Sequence, residues 1–574
     1  MRPEKLALRV VNQYRTRDIF AYLGLRYLFE NVCSRRDIWA RTVAKHLALN
    51  NDSPKYLKSY HFKDFHESGQ VEHRFVFLPA PNEALVEAAL LDECAKYKVF
   101  ISPTSVFSYK LSQGEDSRGV YVPYFEGFRE RHLAIAEACK GNKGATVLYT
   151  DIKSFYPNLN GSVVKSSWVA VCDSSSISLE WKNLGCNIID GYSRVSAERG
   201  IGKGLLTGPM FSHLLANLVL REIDDEFMIL FPGRYFRYVD DIVLIGDSTS
   251  VRSGRTILSE RLSALGLELH SLDGGKEFSL SSEEWLAGED DFGGNDMARW
   301  GGLVSDIKYI LHAEQEGANM LNAALVGNDF RMPIPRYKNE VAQDPWKISL
   351  QQRIRKYKWL ANFLRMINVP SVIEKARILR EQYIVDLGAL LSLGSNLQGY
   401  ERKRVIPKIR FLSGRLLYLG TLQQLENIST DIFNYPELRM LSKVMMSIVK
   451  RDVTDILPLG VNAVQSAAQI LKNSKLPVIC SIQVWNDVNR QGLAVLRLNG
   501  IEVGGPVDDD LNRFSIFGGD KTLMGDGTNL FVRELSCLHG DLGASKHGDT
   551  LDTIFDWAES FPLDGINYSS ASDY

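Results

Sequence analysis

The sequence predicts an α+β fold with a large, mainly α-helical C-terminal region, and three patterns along the chain support this. Residues 1 to about 100 carry apolar side chains at three- and four-residue spacing, which is typical of helices. From about 100 to 310, short β-prone runs alternate with helical stretches, which indicates a sheet with helices packed on it. From about 312 onward the helical spacing returns.

These patterns divide the chain into four parts. We expect a helical N-terminal segment over 1–100, the α+β part over 101–310, a basic helical region over 311–410, and a helical domain with an acidic tail over 411–574. At 574 residues the chain is too long for one ordinary hydrophobic core, so several domains are expected.

Particular segments make the expectation specific. Helices are predicted at 18–32 (DIFAYLGLRYLFENV) and at 81–97, where Pro81 and Asn82 open the second. The β-prone runs are KVFIS, GATVLYTDI, RYFRYVDDIVLIG and LGLELHSL. The Gly-rich stretch 288–302 is expected to interrupt regular structure.

Charge is distributed unevenly along the chain. The formal net charge is only −2, yet residues 331–410 contain 17 Lys and Arg against 6 Asp and Glu. Residues 501–574 contain 4 against 14. The basic stretch has two interpretations, a nucleic-acid contact or a solvated surface, and charge alone favours neither.

The cysteines and the N-terminus predict the compartment. The seven cysteines are scattered without a C-x-x-C pair, which favours reduced thiols over a disulfide framework or a zinc site. The first 20 residues lack an uninterrupted apolar segment, and no later run approaches the ~20 apolar residues of a membrane span. We therefore expect a cytoplasmic protein without membrane contact.

The strongest chemical signal is Tyr238-Val239-Asp240-Asp241, inside RYFRYVDDIVLIGD. Apolar residues flank two adjacent carboxylates, as in a hairpin whose tight turn presents the acids. Acids in an apolar setting are costly to bury unless a cation neutralises them, and Mg²⁺ prefers carboxylate oxygens. The alternative is an ordinary Asp-Asp turn at the surface.

A second carboxylate, Asp151, ends the β-prone run ATVLYTD. Carboxylates at neighbouring strand ends can converge on two metal ions ~3.5–4 Å apart that activate a 3′-hydroxyl and stabilise a leaving pyrophosphate. The alternative role for Asp151 is a helix N-cap. Between the acids, Gly204, Gly208 and Pro209 form a loop that lets the main chain approach a substrate closely. No G-x-x-x-x-G-K-[ST] phosphate loop is present.

Taken in order, these blocks resemble the palm of reverse transcriptases. Asp151 matches motif A, GLLTGPMFSHLLAN motif B, YVDD motif C, and LGLELHSLDGGKEF motif D with Lys276 as its lysine. The match covers roughly residues 100–310. DIKSFYPNL and LLTGP are most similar to the bacterial abortive-infection and defence-associated group. This resemblance implies a right-hand polymerase with palm and fingers over 101–310 (the fingers beginning within 1–100), a thumb-like region over 311–410 and an α-helical C-terminal domain.

The resemblance also implies a ligand set and substrates. Asp151, Asp240 and Asp241 would be catalytic, and together with Ile152 they would bind two Mg²⁺ ions, with Mn²⁺ as the alternative metal. The implied nucleotide-binding residues are Tyr156, Thr207, Gly208, Lys110, Arg118 and Lys276.

These nucleotide-binding roles have alternatives, and for Lys276 the alternative is a solvated loop lysine. Tyr156 would exclude a ribose 2′-hydroxyl, although Tyr156 and its neighbour Phe155 could equally be core residues. Lys110 and Arg118 are equal candidates for the triphosphate cation. Thr207 replaces the glutamine of many reverse transcriptases, which brings template-dependent base selection into question.

The basic stretch acquires a role from its place after the palm. RIRKYKW and ERKRVIPKIR interleave cations with aromatic residues, which suits phosphate contact and base stacking. The expected nucleic-acid-binding residues are Arg353, Arg355, Lys356 and Lys358. The alternative is a solvated helix face.

Together the sequence predicts a polymerase that adds dNTPs to a 3′-hydroxyl or a protein primer, with or without a template, in antiphage defence. Its partners would be dNTPs, a DNA product and a template or structural RNA, and a homo-oligomer remains open. The first alternative is a retron- or maturase-like enzyme that copies a dedicated RNA. The second, from another class, is a non-catalytic nucleic-acid-binding scaffold with a palm fold.

Overall fold

Two long antiparallel strands, β1 (Tyr56–Phe65) and β2 (Val71–Pro79), form a ribbon where the sequence predicts helix. The expectation of a mainly helical segment over 1–100 is therefore wrong for this part. Lys58 and Lys63 interrupt the alternation of apolar and polar residues in β1, and this alternation is the pattern from which a strand is predicted. Lys58 lies 4.0 Å from the ring centroid of Phe75 on the partner strand, so a charged residue occupies a strand-face position.

The computed structural model describes only part of the chain. The described residues are 6, 9, 10, 13, 14, 56–66, 68–79, 81–113, 119–198, 200, 202, 204–271, 276–287, 294–313, 317–334, 337, 367–472, 476–499 and 501–505. The predicted helix at 18–32, Arg118, the cations of 353–358 and the acidic tail lie outside them.

Helices follow the ribbon through the middle of the chain. They are α1 (Pro81–Cys94), α2 (Tyr124–Gly141), α3 (Phe155–Asn158), α4 (Gly161–Asp173), α5 (Leu179–Glu198), α6 (Met210–Val219), α7 (Arg221–Leu230), α8 (Ser248–Ala264) and α9 (Ser282–Ala287). Helix α1 begins at the predicted Pro81, so this prediction is confirmed. Helices α6 and α7 follow each other directly and meet at Leu220.

A four-stranded antiparallel sheet occupies the α+β part. Its strands are β3 (Thr146–Asp151), β4 (Tyr235–Tyr238), β5 (Asp241–Gly246) and β6 (Phe278–Ser281), and their order in the sheet is β4-β5-β3-β6. The sequence predicted β3 and the β4–β5 hairpin correctly. KVFIS is instead a short 3₁₀ turn over Lys98–Phe100, and LGLELHSL contributes only the isolated bridge from Leu269 to Ile152.

Both faces of this sheet are covered, because alternate residues of each strand point to opposite sides. Leu148 and Leu244 belong to the large core that includes helix α8. Val147 and Val243 face a second apolar cluster built with helices α2 and α9.

The described residues after 293 are mainly helical, as predicted. The helices are α10 (Gly294–Ala313), α11 (Gly317–Val326), α12 (Val369–Leu391), α13 (Gly399–Leu419), α14 (Leu422–Ile432), α15 (Arg439–Lys450), α16 (Val461–Leu471) and α17 (Asp487–Leu498), with the short parallel pair β7 (Val478–Ile479) and β8 (Val503–Gly504). Among the described residues, no helix has the length and the apolar character needed to span a bilayer.

Helix α10 contradicts the expectation that 288–302 is irregular, at least from Gly294 onward. Trp300, Leu303 and Ile307 recur at helical spacing and are all buried. Burial of such side chains contributes ~1.5–3 kcal/mol each, which outweighs the ~1 kcal/mol that a glycine costs inside a helix.

Side-chain amides from the C-terminal helices cover the outer edge of β1. Gln491 on α17 accepts a hydrogen bond from the Tyr60 N–H (3.0 Å) and donates one to the Lys58 carbonyl (2.6 Å). Asn462 on α16 accepts from the Phe62 N–H at 2.8 Å. These amides take the place of a neighbouring strand, so the ribbon edge is satisfied without further β pairing.

Replacing Gln491 by Met should lower the free energy of unfolding by about 1–3 kcal/mol, because two main-chain groups of β1 would lose their partners in a buried place. The measurement is chemical denaturation followed by circular dichroism. Gln423→Met, at an exposed position on α14, is the matched control and should change stability by less than about 0.5 kcal/mol. Equal denaturation midpoints for the two variants would contradict the assigned role of Gln491.

Candidate active site

The two strand-end aspartates lie side by side. Asp151 ends β3, Asp241 begins β5, and the two are direct partners in the antiparallel register. Asp240 immediately precedes β5, and its carbonyl accepts a hydrogen bond from the Ile152 N–H at 3.1 Å. The three carboxylates that the sequence singled out therefore meet at one end of the sheet. We refer to Asp151, Asp240 and Asp241 as the aspartate cluster.

The turn that presents Asp240 is held in a conformation that its sequence disfavours. Val239 has φ +57°, a left-handed value that costs a β-branched residue on the order of 1–3 kcal/mol. Both of its main-chain groups are anchored. Its N–H donates to Ser108 Oγ at 2.8 Å, and its carbonyl accepts from Arg237 Nη1 at 2.9 Å.

Arg237 is in turn fixed by a buried ion pair with Asp224 on helix α7. Its Nε and Nη2 each donate to Asp224 at 2.7 Å, and both side chains are at most 1% exposed. The Tyr235 hydroxyl donates to the same carboxylate at 2.6 Å, and Asn217 Oδ1 accepts from Arg237 Nη1 at 3.2 Å. This network locks the β4–β5 hairpin onto helices α6 and α7 behind it.

Within the aspartate cluster the carboxylates repel one another. Burial, together with the negative charges of Asp151 and Asp241, raises the pKa of Asp240 to about 7. The interaction with the Asp151 side chain adds to this increase in the pKa of Asp240.

Two basic side chains, Lys276 and His270, approach Asp151 from the loop after α8. Lys276 Nζ lies 3.3 Å from Asp151 Oδ2, which brings together the two residues that match motifs A and D. His270 Nε2 lies 3.5 Å from the same oxygen, and burial lowers the pKa of His270, so this ring is neutral at pH 7.

A second group of side chains surrounds Asp241. Arg131 on α2 is 3% exposed, and its Nη1 lies 3.9 Å from Asp241 Oδ2. Burial raises the pKa of Tyr149 well above its ordinary value, and the negative charge of Asp241 adds to this shift. Lys403 on α13 places its Nζ 3.4 Å from the centroid of the Tyr149 ring. Burial lowers the pKa of Lys403 to about 8, while the charges of Asp241 and Asp151 oppose this shift.

The glycine loop before α6 lies against the ribbon. The Phe77 N–H on β2 donates to the Thr207 carbonyl at 2.7 Å. Gly208 has φ +125°, and a Cβ there would lie 2.2 Å from the Phe77 carbonyl oxygen. The close approach predicted for this glycine is therefore to the protein's own backbone.

A buried carboxylate holds the start of helix α6. Glu87 Oε2 accepts from the Phe211 N–H at 3.2 Å, while the hydroxyls of Tyr56 and Tyr192 donate to Oε1 at 2.9 and 2.7 Å. Burial raises the pKa of Glu87 to about 7, although every partner named here donates and thus favours the ionised form. The negative charge lies at the positive end of the helix dipole, which stabilises this end of the motif-B block.

The aromatic candidates are both largely buried. Tyr156 is 9% exposed and Phe155 is 2% exposed. The Tyr156 hydroxyl hydrogen-bonds His213 Nδ1 at 2.7 Å, and His213 stacks on Tyr109 with ring centroids 3.7 Å apart. Tyr156 is thus tied to helix α6, and its role as a sugar filter stays a prediction.

The remaining cation candidates have partners within the chain or lie outside the described residues. Lys110 Nζ donates to Glu130 at 2.8 Å, and Arg118 is outside the described residues. Arg353, Arg355, Lys356 and Lys358 are outside them as well. In the second basic run, Arg402 forms a two-bond ion pair with Glu437.

The donor set fits magnesium in its chemistry, since three carboxylates and the main chain at Ile152 supply hard oxygen ligands. Within the described ranges, no group of three or more Asp, Glu, His or Cys side chains is already arranged as a metal-ligand set. Lys276 lies 3.3 Å from Asp151 and Arg131 lies 3.9 Å from Asp241.

Sequence reasoning missed Arg131, Tyr149 and Lys403. Tyr149 had a usable signal, because it stands two residues before Asp151 in one strand and must share its face. Arg131 lies in an ordinary amphipathic helix, and the sequence contained no signal that would place it near the aspartates. Lys403 lay in the basic run ERKRVIPKIR, which we interpreted as a nucleic-acid contact.

Comparison with known proteins adds no assignment: no protein-family model and no curated protein matches this chain. The arrangement of the side chains therefore carries the functional argument.

Replacing Gly208 by Ala should destabilise the protein more than replacing Gly266 by Ala. Both glycines have positive φ, but only at Gly208 would the new Cβ meet backbone, at 2.2 Å, whereas Gly266 faces open space. Gly266→Ala should cost about 1–2 kcal/mol from the left-handed conformation alone, and Gly208→Ala clearly more. Equal losses in chemical denaturation would show that the loop can move away from Phe77.

Proposed function

We propose that this chain is a metal-dependent nucleotidyltransferase of the reverse-transcriptase type. It adds dNTPs to a 3′-hydroxyl or a protein primer and acts in the cytoplasm in antiphage defence. Residues 101–310 form its fingers and palm, and the C-terminal helices follow as a thumb-like region and a helical domain.

One observation carries the proposal. The blocks that resemble motifs A and C contribute Asp151 and Asp241 as direct strand partners, with Asp240 in an anchored turn beside them. A surface Asp-Asp turn would have no reason to bury a carboxylate whose pKa is raised to about 7 or to hold Val239 in a strained conformation. Unfavourable charge and backbone strain concentrated at one place are characteristic of functional sites.

The aspartate cluster would hold the metal ions, and the main chain at Ile152 would supply a further oxygen. When bound, divalent ions stabilise negative charge on the attacking hydroxyl and on the leaving pyrophosphate. Lys276, whose Nζ lies 3.3 Å from Asp151 Oδ2, would contact the phosphates of the nucleotide. Tyr156 lines the sugar side, four residues after the Ile152 main chain.

Template use follows from the environment of Thr207. Its carbonyl is committed to the Phe77 N–H on β2, and threonine lacks the long amide that would reach a templated base pair. We therefore infer that base selection does not depend on this position and that synthesis proceeds without an added template.

Replacing Asp240 by Asn should abolish dNTP incorporation without loss of stability, because the amide keeps the shape and loses the charge that binds metal. The pKa of Asp240 is raised from 3.8 to about 7, so its ionisation reduces the free energy of unfolding as the pH increases through this window. The melting temperature at pH 7.5 should therefore stay equal or rise. The measurements are radiolabelled dNTP incorporation with Mg²⁺ and a thermal melt.

The control for this experiment is Asp247→Asn, at the other end of the same hairpin. Asp247 caps helix α8 through the N–H groups of Thr249 and Ser250, and asparagine is an equally good cap. This variant should incorporate at the wild-type rate. Incorporation near the wild-type rate by Asp240→Asn would refute the catalytic assignment of Asp240, whereas a wild-type protein that incorporates no dNTP would favour the scaffold alternative.

Purified enzyme given dNTPs and Mg²⁺ but no template should make DNA of biased composition, and prior ribonuclease treatment should not reduce the yield. The measurement is sequencing of the product, with the Asp240→Asn protein as a negative control. Product that disappears after ribonuclease, or that mirrors a co-purifying RNA, would establish the dedicated-RNA alternative instead.

A further inference from the structure

Helix α13 of the C-terminal region carries a lysine to the aspartate cluster. Lys403 Nζ lies over the ring of Tyr149 at 3.4 Å and 5.1 Å from the ring centroid of Phe278 on β6. Tyr149 precedes Asp151 by two residues in β3, so both side chains occupy the same face of the sheet. The negative charges of Asp241 and Asp151 both act on the Lys403 ammonium.

The position of this lysine is fixed by packing. Tyr400, one helical turn before Lys403, stacks on Trp285 with an interplanar angle of 25° and donates a hydrogen bond to the Trp285 carbonyl at 3.2 Å. It also contacts Phe278, with centroids 5.9 Å apart. Helix α13 is therefore held against β6 and α9, which fixes the backbone position from which the Lys403 side chain extends.

Arg131 reaches the cluster independently, from helix α2. It is 97% buried, and its Nε and Nη2 have no hydrogen-bond partner among the described residues. Leaving such groups unpaired in a buried place is costly. The guanidinium must be retained there by charge, since its near partners are Asp241 at 3.9 Å and the ring of Tyr149 at 5.6 Å.

Three carboxylates thus meet three cations. The aspartate cluster faces Arg131, Lys276 and Lys403, so the site is close to neutral before any metal binds. Two divalent ions entering alone would create a large excess of positive charge in a partly buried place. The triphosphate of a nucleotide carries the negative charge that removes this excess.

We propose that Lys403 is a built-in counter-ion of the aspartate cluster, which keeps divalent metal ions weakly bound until a nucleoside triphosphate arrives with them. The inference rests on the proposed function, because it assigns regulation to the same site. The Lys403 ammonium competes with a divalent ion for the carboxylates and is itself attracted by phosphate. The C-terminal region thereby sets the metal affinity of the α+β part through one side chain.

The test is Mn²⁺ binding to the full chain without nucleotide, measured by electron paramagnetic resonance of the free ion. Lys403→Met keeps the aliphatic stem on the two rings and removes the charge, so Mn²⁺ should bind about tenfold more tightly than to wild type. Added dATP should tighten binding to the wild type and have a smaller effect on the variant. Lys403→Arg, which keeps the charge, should remain close to wild type.

Two further variants make the result specific. Lys443→Met removes a lysine that lies 5.9 Å from the ring centroid of Phe65 on the ribbon, and it should leave Mn²⁺ binding unchanged. Lys403→Met combined with Asp241→Asn should lose the tighter binding. Lys403→Gln, which also lacks the charge, replaces the methionine variant if circular dichroism shows that the latter is unfolded.

The inference is overturned if neither neutral variant binds Mn²⁺ more tightly than wild type, or if the gain survives Asp241→Asn. A wild-type protein that binds Mn²⁺ equally tightly with and without dATP overturns it as well. Its failure is distinct from failure of the proposed function, which is measured by dNTP incorporation. If Lys403→Met binds Mn²⁺ more tightly but the wild-type protein never incorporates dNTPs, the counter-ion role of Lys403 is supported and the proposed polymerase function is refuted.

Discussion

The buried ion pair between Arg237 and Asp224 is the interaction on which the candidate site depends. It joins strand β4 to helix α7, and the same guanidinium holds the Val239 carbonyl in the turn before Asp240. Removing one partner of such a pair costs about 3–5 kcal/mol, because the remaining charge has no solvent. The strain at Val239 is smaller than this, so the pair is strong enough to maintain the turn.

The ribbon β1–β2 connects distant parts of the chain through its two edges. On one edge, Phe77 donates to the Thr207 carbonyl and allows only glycine at position 208. On the other edge, Gln491 and Asn462 satisfy main-chain groups of β1. Helices α16 and α17 are therefore connected to the glycine loop through two side-chain amides and the paired backbone of the ribbon.

Besides the ribbon, a charge interaction connects the site to the C-terminal helices, because Lys403 on α13 interacts with Asp241 and Asp151. The raised pKa of Asp240 and the lowered pKa of Lys403 share a first cause in burial, and in each case nearby charged groups also act. Such a set of charges is balanced but easily displaced, since none of the contacts reaches the bidentate geometry of Arg237 with Asp224. Readily exchanged counter-ions suit a site whose proposed substrate brings both cations and phosphates.

The sequence by itself determined those elements in which the neighbouring residues indicate whether a position is buried, at a strand end or at a helix start. Asp151, Asp240 and Asp241 could be placed at strand ends because apolar, β-prone residues flank them, and Pro81 marked the start of α1. Only the tertiary structure decided the ribbon, where Lys58 rests on Phe75 of the partner strand, and the helix from Gly294, where burial of Trp300 and Leu303 overrides the glycines. It alone brought Arg131 and Lys403 to the carboxylates, 20 residues before and 252 residues after Asp151. A contact between residues so far apart in the sequence depends on how the helices pack on the sheet. Local secondary-structure propensity does not determine this packing.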